Sequence, residues 1–559
     1  MIFPVAQDIS LASPDQSRSS AMPPLTSSRM VIPTSSKTSD TEAPLNNSIT
    51  PKPAVGMFLR EYKIPQPASC PTTSLVSTRA QKTNIDAGTT HEVAFLLKYF
   101  AEGPGEWMDL FDLGNYFTSD VPVRARSSLL LQNATCAYAA KQLRRATDIK
   151  NHMEVSSGKC NALTRLGARC YEQAIQLLIK QLQPDVEATF LSSEQEAIEQ
   201  CPGVELHHDS ENPHSQQTWI PTGKLSMKLR SDDILVSVAI LSMYEFLDGT
   251  GLAWTHHLSG FKSFLDIAKA GKTPINYLQS NSVPHNELLR SNAYKAAFWN
   301  FARQDYLAAF INECHTNLNT DDLLLWTEFG LLLDPIGFMQ PTTIGYTAIS
   351  EGENLPREEQ VCNTLVWILS KIVNHINSCD NVNASGFFGR WYRLEAELDA
   401  WYKRLPEIFK HCTRVDLPRT VNYRSIDNIQ SLTRLQEIRY SIPMCASSMQ
   451  HYHMAQILLL INKPHQPISS PSTIFLRLQS YRTLEAETRF HSHEILGIGL
   501  ARPDGSVRTH SLQPLFVAGQ CLANARERCL VIQLLRGIEA DLGWATGIQV
   551  QQLLREWGW

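Results

Sequence analysis

From His91 to the C-terminus, apolar residues recur at helical spacing in one segment after another, and this constrains the fold more than any motif. HEVAFLLKYF opens the series. Segments near 127–148, 160–183, 231–247, 255–269, 287–313, 356–378, 387–404, 429–462, 471–490 and 513–541 follow with the 3.6-residue period of a helix that buries one face. In 287–313, Ala293, Ala296, Ala297, Phe301 and Ala308 fall near a common face. Strand-like alternation is scarce. Pro and Gly punctuate the series, as at Lys463-Pro464 and from Gly499 through Gly505. The expected fold class is all-α. There is no internal repeat of fixed length, which argues against a helical solenoid.

Residues 1 to about 56 read differently. They are rich in Ser, Thr and Pro, hold one aromatic residue, Phe3, and balance their Lys and Arg against their Asp and Glu. Such a composition cannot bury enough apolar surface to offset its ordering entropy. With a weaker tail, 1–88 is expected to be a disordered N-terminal segment and 89–559 one large helical domain, long enough for a sizeable core. Residues 184–230 are polar, acidic and weakly periodic, and read as a long insertion loop. Residues 337–356 and 379–386 are shorter candidates for the same role. The first residues lack a basic stretch followed by an apolar run, so no secretory signal is expected, and the longest apolar runs are far too short to span a bilayer. Reduced, mostly buried thiols are therefore expected. A formal net charge of −5 gives no global electrostatic case for nucleic-acid binding.

The residues that could carry chemistry do not assemble into a recognisable site. His451 and His453, and His491 and His493, lie two apart. On a helix each pair points to different faces and pre-forms no chelate. HExxH is absent. Asp232-Asp233 and Asp321-Asp322 invite comparison with terpenoid synthases, all-α enzymes that hold magnesium and diphosphate on an aspartate-rich helix face. That chemistry needs a third carboxylate three or four residues on, and here Ile-Leu-Val-Ser and Leu-Leu-Leu-Trp follow. Both pairs are expected at helix N-termini, where Asp accepts from free N–H groups. No phosphate loop, dinucleotide fingerprint or nucleophile elbow is present. Lys141, Arg144, Arg145 and Lys150 form a modest basic cluster, expected to be a solvated helix face. Arg526, Arg528, Arg536 and Arg555 alternate with Glu527, Glu539, Asp541 and Glu556, which suggests internal ion pairs. Trp391 and Trp401 share a helix face with Leu394 and Leu398 and read as a core stripe. No catalytic, cofactor-binding or metal-ligating residue is assigned, no cofactor is expected, and the chain is expected not to be an enzyme.

Several stretches, in order, resemble the fungal-specific regulatory domain of binuclear-zinc-cluster transcription factors. They are HEVAFLLKYFAEGPGEWMDLFDLGNYF (91–117), PVRARSSLLLQNATCAYAAKQL (122–143) and AYKAAFWNFARQDYLAAF (293–310), the last with the polar triplet Arg303-Gln304-Asp305 inside an otherwise apolar helix. WYRLEAELDAWYKRLPE (391–407), SMQHYHMAQILLLINKPHQ (448–466) and 511–559 complete the set. The resemblance covers about 91–559. In that family an N-terminal run of six closely spaced cysteines holds two zinc ions and reads DNA. The twelve cysteines here contain no CxxC, the closest two are Cys521 and Cys529, and the first 69 residues hold none.

The resemblance implies a nuclear transcriptional regulator of a fungal metabolic or secondary-metabolite gene cluster. With the cluster missing, DNA contact is expected to be indirect. A lost cluster, a missing first exon and a partner that works through another DNA-binding protein are competing explanations. Expected partners are other transcription factors or the transcription machinery, with homo- or heterodimers and a small-molecule effector among the family's options, and no membrane. The alternatives are an all-α enzyme of secondary metabolism and a non-activating paralogue that sequesters partners.

Overall fold

Ala at 293, 296, 297, 308 and 309 makes the helix Asn292–Ile311 thin enough for others to close around it, and it is buried along most of its length. The computed structural model describes residues 87–150, 157–182, 222–248, 252–270, 292–334, 336–339, 358–378, 384–417, 435–464 and 474–559. Within them the chain is almost wholly helical, as the periodicity predicts. The N-terminal part comprises α1 (Ala87–Ala101), α2 (Pro104–Met108), α3 (Tyr116–Arg124), α4 (Leu129–Lys150), α5 (Ser157–Leu182), α6 (Thr222–Phe246) and α7 (Leu252–Ala270). The central helix is α8 (Asn292–Ile311), followed by α9 (Leu323–Glu328), α10 (Glu358–Ile376) and α11 (Ala384–Lys403). A two-stranded antiparallel pair, β1 (Thr413–Asp416) and β2 (Gln436–Arg439), sets Thr413 opposite Arg439. The C-terminal helices are α12 (Pro443–Ile461), α13 (Ile474–Leu500), α14 (Gly505–His510), α15 (Leu512–Cys521), α16 (Ala525–Leu542) and α17 (Gly547–Trp557).

Packing runs through one continuous core. Helix α4 packs on α1, α5 and α6; α6 packs on α7 and α8; α8 packs on α10; and α10 packs on α11 and α12. Helix α12 packs on α13 and α15, and α16 returns from α15 to α4. Trp391, Leu394, Leu398 and Trp401 are all buried on α11, as the stripe predicts. Buried indoles donate to backbone carbonyls of other segments: Trp391 to Leu459 at 3.0 Å, Trp401 to Val361 at 2.9 Å and Trp367 to Thr320 at 2.9 Å. Each thus buries a large apolar surface without stranding its one donor.

The structure corrects several boundaries. The helix expected over 429–462 begins only at Pro443, with β2 in front of it. Proline at the first turn restrains the residue before it to extended backbone, and Ile442 is extended. The segment 513–541 is two helices, α15 and α16, because the Asn524 side chain accepts from Arg526 N at 2.9 Å and starts a new helix. The helix expected over 471–490 runs on as α13 to Leu500, and the break expected from Gly499 through Gly505 falls between α13 and α14. Helix α6 starts at Thr222, inside the insertion expected over 184–230, and α11 starts at Ala384, inside the loop expected over 379–386. Segment 1–88, apart from Ala87 and Gly88 which open α1, lies outside the described residues, as do 184–221 and most of 337–356. No helix among the described residues is long and apolar enough to cross a membrane.

Candidate functional site

The polar triplet on α8 is the centre of a buried polar seam. Arg303 is 4 % exposed and Asp305 1 %. They lie two residues apart and so leave the helix in different directions. Asp305 reaches the loop after α8: Oδ1 accepts from Asn317 N at 2.9 Å and Asn317 Nδ2 at 2.8 Å, and Oδ2 accepts from Leu318 N at 2.8 Å. Burial raises its pKa, against the pull of those hydrogen bonds. Gln304 Nε2 donates to Asn300 Oδ1 at 2.6 Å, and Gln304 Oε1 accepts from Trp254 Nε1 at 3.3 Å.

Arg303 has no such saturation. Nη2 donates to the Met108 carbonyl at 2.7 Å, and the guanidinium sits 5.3 Å over the Phe111 ring. Nη1 is buried without a hydrogen-bond partner, and among the described residues Arg303 forms no ion pair. Burial lowers its pKa to about 10, so it remains a cation at neutral pH. The charges of Asp112 and Asp109 act on it and oppose that lowering. Asp109 is held elsewhere: its carboxylate accepts from Phe117 N at 2.9 Å and Thr118 N at 2.7 Å at the start of α3, and burial raises its pKa to about 7. Histidines on the same seam are neutral. His451 hydrogen-bonds the Ser447 carbonyl through Nδ1 at 2.8 Å, and burial lowers its pKa to about 4. His510 hydrogen-bonds the Ser506 carbonyl through Nδ1 at 2.8 Å, with its pKa lowered to about 3, burial again the largest cause.

The other singled-out residues are dispersed or internally paired. One histidine from each pair meets the other: His453 Nδ1 of α12 lies 2.8 Å from His491 Nδ1 of α13. Burial lowers both pKa values, so both rings are neutral at pH 7. Beside them Arg414 of β1 donates two 2.7 Å hydrogen bonds to Glu494. His493 turns to Glu527 at 3.0 Å. Among the described residues no three His, Cys, Asp or Glu side chains are grouped to hold a metal ion, and the eight described cysteines are free thiols.

Asp322 caps α9, accepting from Leu325 N at 3.1 Å, as expected. Asp232 and Asp233 do not start a helix. They lie inside α6, because that helix begins at Thr222, and Asp233 pairs with Arg124 of α3. The basic cluster is not a solvated face either. Lys141 Nζ lies 2.7 Å from Asp248 and over the Tyr244 ring, and Arg145 pairs with the same Asp248. The Lys150 side chain lies outside the described residues. Of the C-terminal arginines, Arg536 pairs with Glu539, and Arg528 donates to the Leu522 carbonyl and covers Trp557.

Sequence reasoning missed His510, Gln513 and Trp544, which face the seam from α14, α15 and the α16–α17 connection. Nothing in their local pattern separates them from ordinary core or surface residues. The one signal was the charged triplet itself, since an arginine on an apolar helix face must find compensation in the fold.

Comparison with known proteins gives one informative relative. A transcription activator of Alternaria alternata, AMTR1, is 38% identical over 497 residues, covering 84% of this chain. The chain spans 63% of that protein's length. No family model matches the chain. No solved structure matches it either.

Proposed function

We propose that this chain is a transcriptional activator that works in the nucleus as a helical regulatory body, with residues 89–559 as its regulatory domain. The observation that carries this is the 38% identity to a transcription activator across 84% of the chain. The geometry is consistent with a non-enzymatic role. Asp322 caps a helix, Asp233 pairs with Arg124 and Asp305 anchors a loop, while His453 meets His491 and His493 turns to Glu527.

The same geometry supports indirect contact with DNA. Lys141, Arg145, Arg414 and Arg536 are all engaged by carboxylates, whereas groove readout needs free donors on a protruding element. Promoter occupancy then comes from a DNA-binding partner or from another part of a longer protein. Control of a fungal metabolic gene cluster is the biological setting we propose.

A tethering experiment tests this. Fused to a heterologous DNA-binding domain, the 559-residue chain should raise expression of a reporter carrying that domain's site, and without the fusion it should not. In a gel shift the chain alone should bind duplex DNA no better than the micromolar, salt-sensitive range of non-specific contacts. An unchanged reporter, with the fusion expressed and nuclear, refutes the activator reading. Tight sequence-specific binding by the chain alone refutes the indirect one.

A further inference from the structure

Beneath Arg303 lies a cavity of about 40 Å³. That is room for roughly three water-sized positions, on the scale of a molecule of four or five heavy atoms. It is a junction of five parts of the chain, one of them α6, which brings Met243 and Phe246. Arg303 and Asn300 come from α8, His510 from α14 and Gln513 from α15; Trp544 comes from the α16–α17 connection. Two of its lining residues carry buried donors without a hydrogen-bond partner, Nη1 of Arg303 and Nε1 of Trp544. Met243, Phe246 and Leu307 give the same cavity apolar walls.

A buried cation that no carboxylate pairs with among the described residues, in the same cavity as a second unpartnered donor, has the chemistry of an anion receptor. Leaving either buried donor unmatched is costly, and one charged acceptor in the cavity can satisfy both. The apolar walls select against strongly hydrated inorganic anions and in favour of an anion with a short hydrocarbon part. We propose that this cavity is a binding site for a small monocarboxylate of the size of acetate or propionate. Arg303 Nη1 and Trp544 Nε1 hold the two carboxylate oxygens, and the hydrocarbon end packs against Met243, Phe246 and Leu307. His510 does not compete for the charge. Its Nδ1 hydrogen-bonds the Ser506 carbonyl and its ring is neutral, so Arg303 is the cation of the site. Because the ligand would join α6, α8 and the α16–α17 connection, occupancy would tie the central helix to the C-terminal part of the chain. The inference stands apart from the transcriptional reading, since it is read out by binding alone.

The test is ligand-detected carbon-13 NMR and calorimetry on the purified 559-residue chain with acetate and propionate, and with acetamide as the neutral isostere. Saturable binding of the carboxylates and none of acetamide is expected. Trp544→Phe keeps the ring and removes one donor, so carboxylate binding should weaken about tenfold, as for one charge-assisted hydrogen bond. Arg303→Met should abolish it. Should that variant fail to fold, Trp544→Phe and acetamide still decide the matter. Absence of saturable carboxylate binding, equal binding of acetamide, or affinity unchanged in Trp544→Phe overturns the proposal.

Discussion

Replacing Asp305 tests how one buried carboxylate holds the loop that follows the central helix. Its two oxygens accept three hydrogen bonds, two of them from the backbone N–H groups of Asn317 and Leu318. The loop so fixed also supplies the Thr320 carbonyl to Trp367 and the Asn319 carbonyl to Trp326. In Asp305→Ala the buried Leu318 N–H loses its acceptor, at about 1–3 kcal/mol, and the Asn317 groups lose a charged partner. Removing a carboxylate whose burial disfavours its charge gives part of this back. A net loss of about 3 kcal/mol is expected. Asp305→Asn keeps one carbonyl for Asn317 but turns an amide N–H₂ toward Leu318 N–H, and should lose about half as much.

The loss is local, so hydrogen exchange read by mass spectrometry on peptides spanning 312–322 is the assay. A 3 kcal/mol loss is a little over a hundredfold in protection. The Asn variant should fall between wild type and Ala. Protection within threefold of wild type in Asp305→Ala, together with an unchanged melting temperature, would refute the assignment of Asp305 as the anchor of this loop.

Gly497→Ala should destabilise by about 1–3 kcal/mol although alanine is the better helix former, because its Cβ would stand 2.6 Å from the Gln436 carbonyl oxygen and 2.7 Å from Ile438 Cδ1. Gly389→Ala on α11, where a Cβ meets nothing within 4 Å, should instead raise the melting temperature; matching shifts in the two variants would sink this reading. Asp109, with its pKa raised from 3.8 to about 7, binds its proton more tightly in the folded state, so its contribution to stability is full below pH 3.8 and is lost as pH rises through 7. The melting temperature of Asp109→Asn relative to wild type should therefore climb between pH 5 and 8, and a flat difference across that window counts against the raised pKa. Asp233→Asn breaks the partly buried pair with Arg124 that ties α6 to α3, and a loss of about 1–2 kcal/mol is expected in urea unfolding, with a shift inside experimental error as the contrary result.

The sequence by itself determined the helices. Spacing of apolar residues is a local property, read within one or two turns, and it placed α8, α10 and α11 close to their observed bounds. It also determined the Trp391–Trp401 stripe and the cap at Asp322, whose partner, the Leu325 N–H, lies three residues away. Only the tertiary structure decided which polar groups would meet. Asp233 was expected to cap a helix, but its helix runs back to Thr222 and Arg124 of another helix became its partner. His453 and His491 meet although each was read with the neighbour on its own helix. The Arg303 cavity depends on residues of α6, α8, α14, α15 and the α16–α17 connection arriving at one point. A buried charge needs compensation, and that much is legible in an Arg-Gln-Asp triplet on an apolar helix. Where the compensation comes from is set by how distant helices pack, and no local spacing encodes it.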